Sequence, residues 1–259
     1  MISFVKGRRN FMAMTRSSEL LMKLALYTLL IVCSLCCNIA FAANNGESST
    51  VAVSYAIRSF GSDIGTVSAK TVGTARDYDF ADDVKVNARF LFFSFSLKSS
   101  ETASIRGGKL VNYHKTTDTK GHRRELTGKL NGATFKMVVL DGGKTQHKEF
   151  PVTDYVTTNL EYPEVSLAPG EVRRIRVLDL ENTEIVDREY RQISEEQAEI
   201  SGSLSRVIAS DFADKNAEGR RWTAIVGELP VVWRQEGKEK TGLFTPSYSM
   251  RQTRVTVAP

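Results

Sequence analysis

The chain has 259 residues, of which 35 are basic, 30 acidic and three are cysteine. At 41% hydrophobic and 25% charged it has the composition of a folded domain rather than a disordered one. The formal charge of +5 looks basic, but its location decides what it excludes.

Residues 1–42 do not read as part of a fold. Lys6, Arg8, Arg9, Arg16 and Lys23 precede a largely apolar run over residues 24–41, which closes on Ala40-Phe41-Ala42. A basic start, an apolar middle and an A-x-A end are the marks of a cleaved export signal. Cleavage near Ala42 is expected, with a periplasmic or secreted product. A start at Met22 would give a more compact signal. The run is nearly long enough to span a bilayer, so a retained anchor is the competing reading. Cys33, Cys36 and Cys37 occupy the zone of a lipidation site, but neither Ser34-Leu35 nor Leu35-Cys36 supplies the small residues it needs.

All three cysteines therefore fall in the signal, and the mature chain is expected to have neither disulfides nor thiol chemistry. From Ala43 onward 30 basic residues face 29 acidic ones. The excess charge belongs to the targeting segment, which removes the usual argument for a nucleic-acid partner.

Residues 43–50 are small and polar and read as a flexible lead-in to a single domain over 51–259. Val51, Val53, Tyr55 and Ile57 alternate along a first strand, and Ile64 and Val67 begin a second. Val84, Val86, Ala88, Phe90 and Phe92 lie on one side of a longer strand. Gly107-Gly108, Lys120-Gly121, Asn131-Gly132, Asp141-Gly142-Gly143, Pro169-Gly170 and Glu236-Gly237 punctuate the rest. Such pairs tolerate the positive φ of tight hairpins. The fold class expected is all-β: a large antiparallel curved sheet, half-barrel or open barrel, with one or two short helices. Residues 151–160 and 204–214 are the segments that could hold those helices.

Residues 90–97 break the alternation. Phe90 and Phe92 point one way along an extended strand, and Leu91, Phe93, Phe95 and Leu97 the other. Such a strand must be covered on both sides. It is either a central core strand or one whose inner side lines a cavity for an apolar ligand. Phe90, Phe92, Phe93, Phe95, Leu97 and Trp233 are the candidate lining residues.

No catalytic residues, metal site or cofactor are expected. His114, His122 and His147 are eight and 25 residues apart, without the close pairs of a zinc site. Gly202-Ser203-Leu204-Ser205-Arg206 lacks the second glycine of a nucleophile elbow. Phosphate-binding fingerprints are missing. Asp82-Asp83 and Glu195-Glu196 are adjacent, so on strands they face opposite ways and read as solvated surface. Arg123-Arg124 and Arg173-Arg174 read as scattered surface arginines, and Trp222 and Trp233 as core packing.

The order of these features resembles exported domains of unknown function, the 6134 and 3108 families. The residues that carry it are 55–65 (YAIRSFGSDIG), Phe90-Leu91-Phe92-Phe93 ahead of Gly107-Gly108-Lys109-Leu110, Thr119-Lys120-Gly121, Val177-Leu178-Asp179-Leu180, and the hairpin from Trp233 to Gly237. Thr157-Thr158-Asn159-Leu160-Glu161-Tyr162 departs from the pattern, where an aromatic-centred segment is expected. The resemblance implies a secreted curved sheet, similar in outline to periplasmic lipoprotein carriers, and brings no active site with it. Three functions follow as expectations. The first is a non-enzymatic binding protein for a lipid-like or other apolar small molecule. The second is an envelope factor that engages a protein partner through exposed sheet edges. The third is a cofactor-free enzyme.

Overall fold

The computed structural model describes residues 49–258 apart from 60, 75, 91–92, 201–202, 227–228 and 241–246. Residues 1–42, expected to be an export signal, and residues 43–48 lie outside the described residues. The first half carries β1 (Ser49–Ser59), β2 (Ser62–Gly73), β3 (Tyr78–Phe90), β4 (Phe93–Arg106), β5 (Lys109–Thr119), β6 (His122–Asn131), β7 (Thr134–Asp141) and β8 (Lys144–Pro151). The second half carries β9 (Thr157–Thr158), β10 (Val172–Asp179), β11 (Glu184–Ile200), β12 (Ser203–Ala213), β13 (Ala217–Val226), β14 (Leu229–Glu239) and β15 (Ser247–Ala258).

All fifteen strands belong to one sheet that does not close into a barrel. Each strand pairs with its sequence neighbour, with one exception that sets the topology. β1 pairs with β15, so both ends of the described chain meet in the middle of the sheet. Two wings spread from this junction, one ending at β8 and the other at β9. Every pairing is antiparallel except the two-residue β9, which lies parallel on β10.

Local chemistry explains the hairpins. Gly107-Gly108 and Gly142-Gly143 have positive φ at both residues, as a twist-matched two-residue turn requires. One inner row crosses most of the sheet through facing partners: Gln192, Ser210, Arg221, Gln235, Met250, Ile57, Gly65, Val86 and Leu97. Alternate residues face inward as a period of two demands, and their apolar members join one continuous core.

The structure corrects the sequence reading in four places. Residues 204–214 form β12 rather than a helix, because Val207, Ile208 and Phe212 pair on both sides with β11 and β13. Residues 151–160 hold turns and β9, and the one helical element among the described residues is a 3-10 turn at Pro163–Ser166. The first strand begins at Ser49, inside the expected lead-in. Finally, residues 90–97 are not one strand. Phe90 pairs with Phe93 across a hairpin, so the chain reverses at the apolar run.

The two wings also meet across the interior. Residues 152–156 cross between the sheet edges. Val152 N–H donates to Ala133 O beside β7, and Val156 N–H donates to Arg176 O on β10, both at 2.9 Å. The β10–β11 turn, residues 180–183, tucks against the first wing. There Arg124 donates from Nη1 to Glu181 Oε1 at 2.8 Å and from Nη2 to Glu181 O at 2.9 Å. Lys148 Nζ donates to Thr183 O at 2.9 Å, and Lys115 Nζ lies 2.7 Å from Glu181 Oε2. Side-chain bonds and the crossing segment 152–156 form this seam, where a closed barrel would have a continuous backbone ladder.

Candidate partner-binding groove

The interior of the second wing is filled by the chain itself. After β9 the chain lays Leu160, Tyr162, Glu164 and Leu167 into the core. Arg221 on β13 organises this region. Its guanidinium is 1% exposed and is flanked by the rings of Tyr162 and Phe212, at 4.6 and 5.3 Å. Nη1 donates to Glu164 Oε1 at 2.7 Å and Nε to Gln235 Oε1 at 2.8 Å; Gln235 Nε2 then donates to the Tyr248 hydroxyl at 2.9 Å. Burial, the largest single influence, would lower the Arg221 pKa, but Glu164, Tyr162 and Tyr190 together reverse it and the shift is upward. A second pair, Arg188 Nε to Asp214 Oδ2 at 2.6 Å, is equally enclosed. These contacts hold structure in place, since each charge is taken up by its neighbours.

On the outer side of the same strands lies a groove of about 690 Å³. It holds a glycine pair. Gly219 and Gly237 face each other across β13 and β14, and Phe212 and Tyr248 flank them in register. A Cβ on Gly219 would lie 2.8 Å from Phe212 Cζ, and one on Gly237 would lie 2.7 Å from the Tyr248 hydroxyl. Both rings press against bare backbone from inside. Glycine in a strand marks close approach of this kind and a local bend. Both glycines and both rings line the groove.

Facing pairs line the walls with alternating charge. Asp211 faces Arg220, which faces Glu236; Glu218 faces Lys238. Arg220 Nε donates to Asp211 Oδ1 at 2.6 Å. The Arg234 guanidinium sits 4.6 Å over the Trp222 ring and bonds Glu236. Hydrogen bonding to Asp211 comes first among the causes that raise the Arg220 pKa, so that charge is fixed. Two exposed arginines beside a half-buried tryptophan are residue types that carry protein–protein contacts.

The residues singled out from sequence do not converge on one site. Phe95 and Leu97 are buried in the continuous core of the first wing. Phe92 and the side chains of Phe90 and Phe93 lie outside the described residues. Trp233 is the extra residue of a β-bulge between the pairs Trp222–Arg234 and Thr223–Val232; it is half-buried and packs on the core. Trp233 is five strands from Phe95 in the sheet order. His122 Nε2 pairs with Asp141 Oδ1 at 2.7 Å, His114 lies 4.0 Å from Glu125, and His147 is exposed on the edge strand β8. Asp82 is buried rather than solvated, while Asp83 is exposed as expected. Arg123 and the pair Arg173 and Arg174 make surface ion pairs, whereas Arg124 belongs to the seam.

Trp222 is half-buried and packs against the core as expected, and it also lines the groove; sequence reasoning missed the groove because Arg220-Arg221 went unremarked. Adjacent strand residues face opposite ways, so one of two consecutive arginines inside a strand must point inward. That signal was present. The carboxylate that answers it, Glu164, lies 57 residues away and could not be read from it.

The fold and groove define a barrel-like antiparallel protein that presents its polar surface outward around a self-filled interior. The chain belongs to the family described as domain of unknown function DUF6134, whose profile matches residues 55–228. Resemblance to the 3108 family and to lipoprotein carriers remains an expectation from sequence. No curated protein matches the chain. Among solved structures it is similar to a "beta-barrel-like protein of domain of unknown function DUF1849" from Brucella abortus. The identity is 9%, the match covers 82% of this chain and 97% of that one, and the TM-score is 0.54. At this identity the likeness concerns the fold.

Proposed function

We propose that this is an exported, non-enzymatic envelope protein, periplasmic or secreted after signal cleavage, that docks a protein partner in the outer groove of β12–β14. The observation that carries the reading is the groove itself, lined by Gly219 and Gly237 and walled by Trp222, Arg220 and Arg234. The partner surface is an extended segment with both signs of charge, able to exchange ion pairs with Asp211, Arg220 and Glu236. This differs from pairing at the sheet edges. The edge strand β8 carries Lys144, His147, Lys148 and Glu149, and charges of this kind discourage edge pairing.

The apolar-ligand reading draws its support from the hairpin at Phe90 and Phe93, since Phe95 and Leu97 are already part of the packed core. In-cell photo-crosslinking separates the two. A photoreactive residue at Lys238, on the groove wall, is expected to give one reproducible protein adduct, and the same residue at Lys129, on the other wing, none. Equal adducts from both positions, or none from Lys238, would refute docking in the groove.

A further inference from the structure

A different part of the outer surface shows another chemistry. At the junction of the two wings, one outward-facing row runs from Arg251 on β15 through Ala56 and Thr66 to Lys85 and Lys98 on β3 and β4. The next row places Arg254 opposite Ser54, Ser54 opposite Ser68, and Ser68 opposite Asp83. Lys70 faces Ala52 one row further along. The β1 residues Ala52, Ser54 and Ala56 are recessed, while the cations on either side are exposed. The result is a shallow trough along β1 and β2, floored by half-buried Ala52, Ser54 and Ala56 and by the short exposed hydroxyls of Thr66 and Ser68.

The charge balance of this trough is one-sided. Among the described residues, Lys70, Lys85, Lys98, Arg251 and Arg254 make no ion pair within 4.0 Å. Lys85 and Lys98 stand directly opposite each other. Like charges in that arrangement destabilise a sheet. Five cations face two carboxylates in these rows: Asp83, and Asp118, which stands opposite Lys98 on β5 at the outer end of its row; Asp63 is already held by Arg58 at 2.8 Å. Arg251 and Lys85 stand three strand spacings apart, about 14 Å, which leaves room between their charged heads for one extended polymer strand.

The floor selects among anionic partners. Membrane insertion uses apolar anchors and single-stranded nucleic acid uses aromatic stacking platforms. Protein hot spots use Trp, Tyr and Arg in desolvated pockets. The floor residues Ser54, Ala56, Thr66 and Ser68 provide none of these. Serine and threonine hydroxyls both donate and accept hydrogen bonds, which suits a polyhydroxylated ligand. We infer that this trough binds an acidic polysaccharide strand, its carboxylate or phosphate groups paired with the Arg251/Arg254 and Lys85/Lys98 walls and its hydroxyls on the serine and threonine floor.

Titration calorimetry with the mature protein tests this at low and high salt. The probes are oligogalacturonate, neutral dextran oligomers and phosphatidylglycerol vesicles. The expected result is binding of oligogalacturonate that weakens steeply with salt and no binding of dextran. The double variant Lys85→Ala/Arg251→Ala should lose at least about tenfold in affinity. Arg220→Ala in the groove should bind as the parent does. Unchanged melting of the double variant excludes misfolding; if it melts early, Lys85→Gln/Arg251→Gln takes its place. Equal affinity of parent and double variant overturns the inference. So does vesicle binding that is as strong and is lost in the same variant, because the occupant would then be a membrane. Failure here leaves the groove's crosslinking result untouched.

Discussion

Glu161 shows what a single buried carboxyl does to this protein. It follows β9 and accepts a hydrogen bond from the Thr157 hydroxyl. Burial pushes its pKa up to about 7, against the lowering effect of bonds from Thr157 and Thr158. Its charge in turn raises the pKa of the Tyr155 hydroxyl, after burial. The folded state therefore keeps a proton that the unfolded chain, at 4.5, has released. Between these values the native state binds more protons, so stability falls as pH rises from 4.5 to 7 and levels off above. Urea midpoints across that window should show the fall in the parent, and Glu161→Gln should flatten it. A parent midpoint that rises instead would show that other carboxylates dominate.

At the scale of the element, the groove depends on two residues with no side chain. Gly219→Ala places a methyl group 2.4 Å from the Glu236 carbonyl, so the backbone itself must move. A cost of about 1–3 kcal/mol is expected from such overpacking, measured by chemical denaturation, together with loss of the Lys238 crosslink. A variant as stable as the parent would mean that the groove is not fixed by the glycine pair. Strand periodicity was readable in the sequence wherever one face was apolar, as in Val51 to Ile57 and Val84 to Ala88. It failed in two circumstances. Phe90 pairs with Phe93, and the sequence between them has no glycine or other turn residue, so nothing announced the reversal. In β12 the consecutive run Val207, Ile208, Ala209 and Ser210 is buried throughout and shows no period of two. The groove was legible only as types, a tryptophan and arginines. Its glycines, Gly219 and Gly237, meet across strands in a register that local sequence does not state.

At the scale of the molecule, the seam decides whether the two wings behave as one body. Glu181 is 2% exposed and joins Arg124 and Lys115, while Lys115 also lies 3.5 Å from Glu101. Burial raises the Glu101 pKa, opposed by the Lys115 charge. Removing Glu181 leaves Lys115 enclosed without its nearer partner. Glu181→Ala should cost about 3–5 kcal/mol, as the breaking of buried pairs generally does. Hydrogen exchange should quicken at the β10–β11 turn as well. A loss below about 1 kcal/mol would assign the cohesion of the wings to the apolar core.

The pairing of β1 with β15 has a consequence for how the chain reaches its final form. Thr50 must find Ala258 across almost the entire described length. Contacts so distant in sequence are costly to close and slow to form. Until the last strand arrives, β1 and β14 both present open ladders at the centre of the sheet. The molecule therefore cannot complete itself from its beginning. Under the export proposed for this chain, the arrangement would delay commitment to the native state until the final twelve-residue strand had emerged, leaving an intermediate that a holding chaperone would recognise by its two unpaired edges.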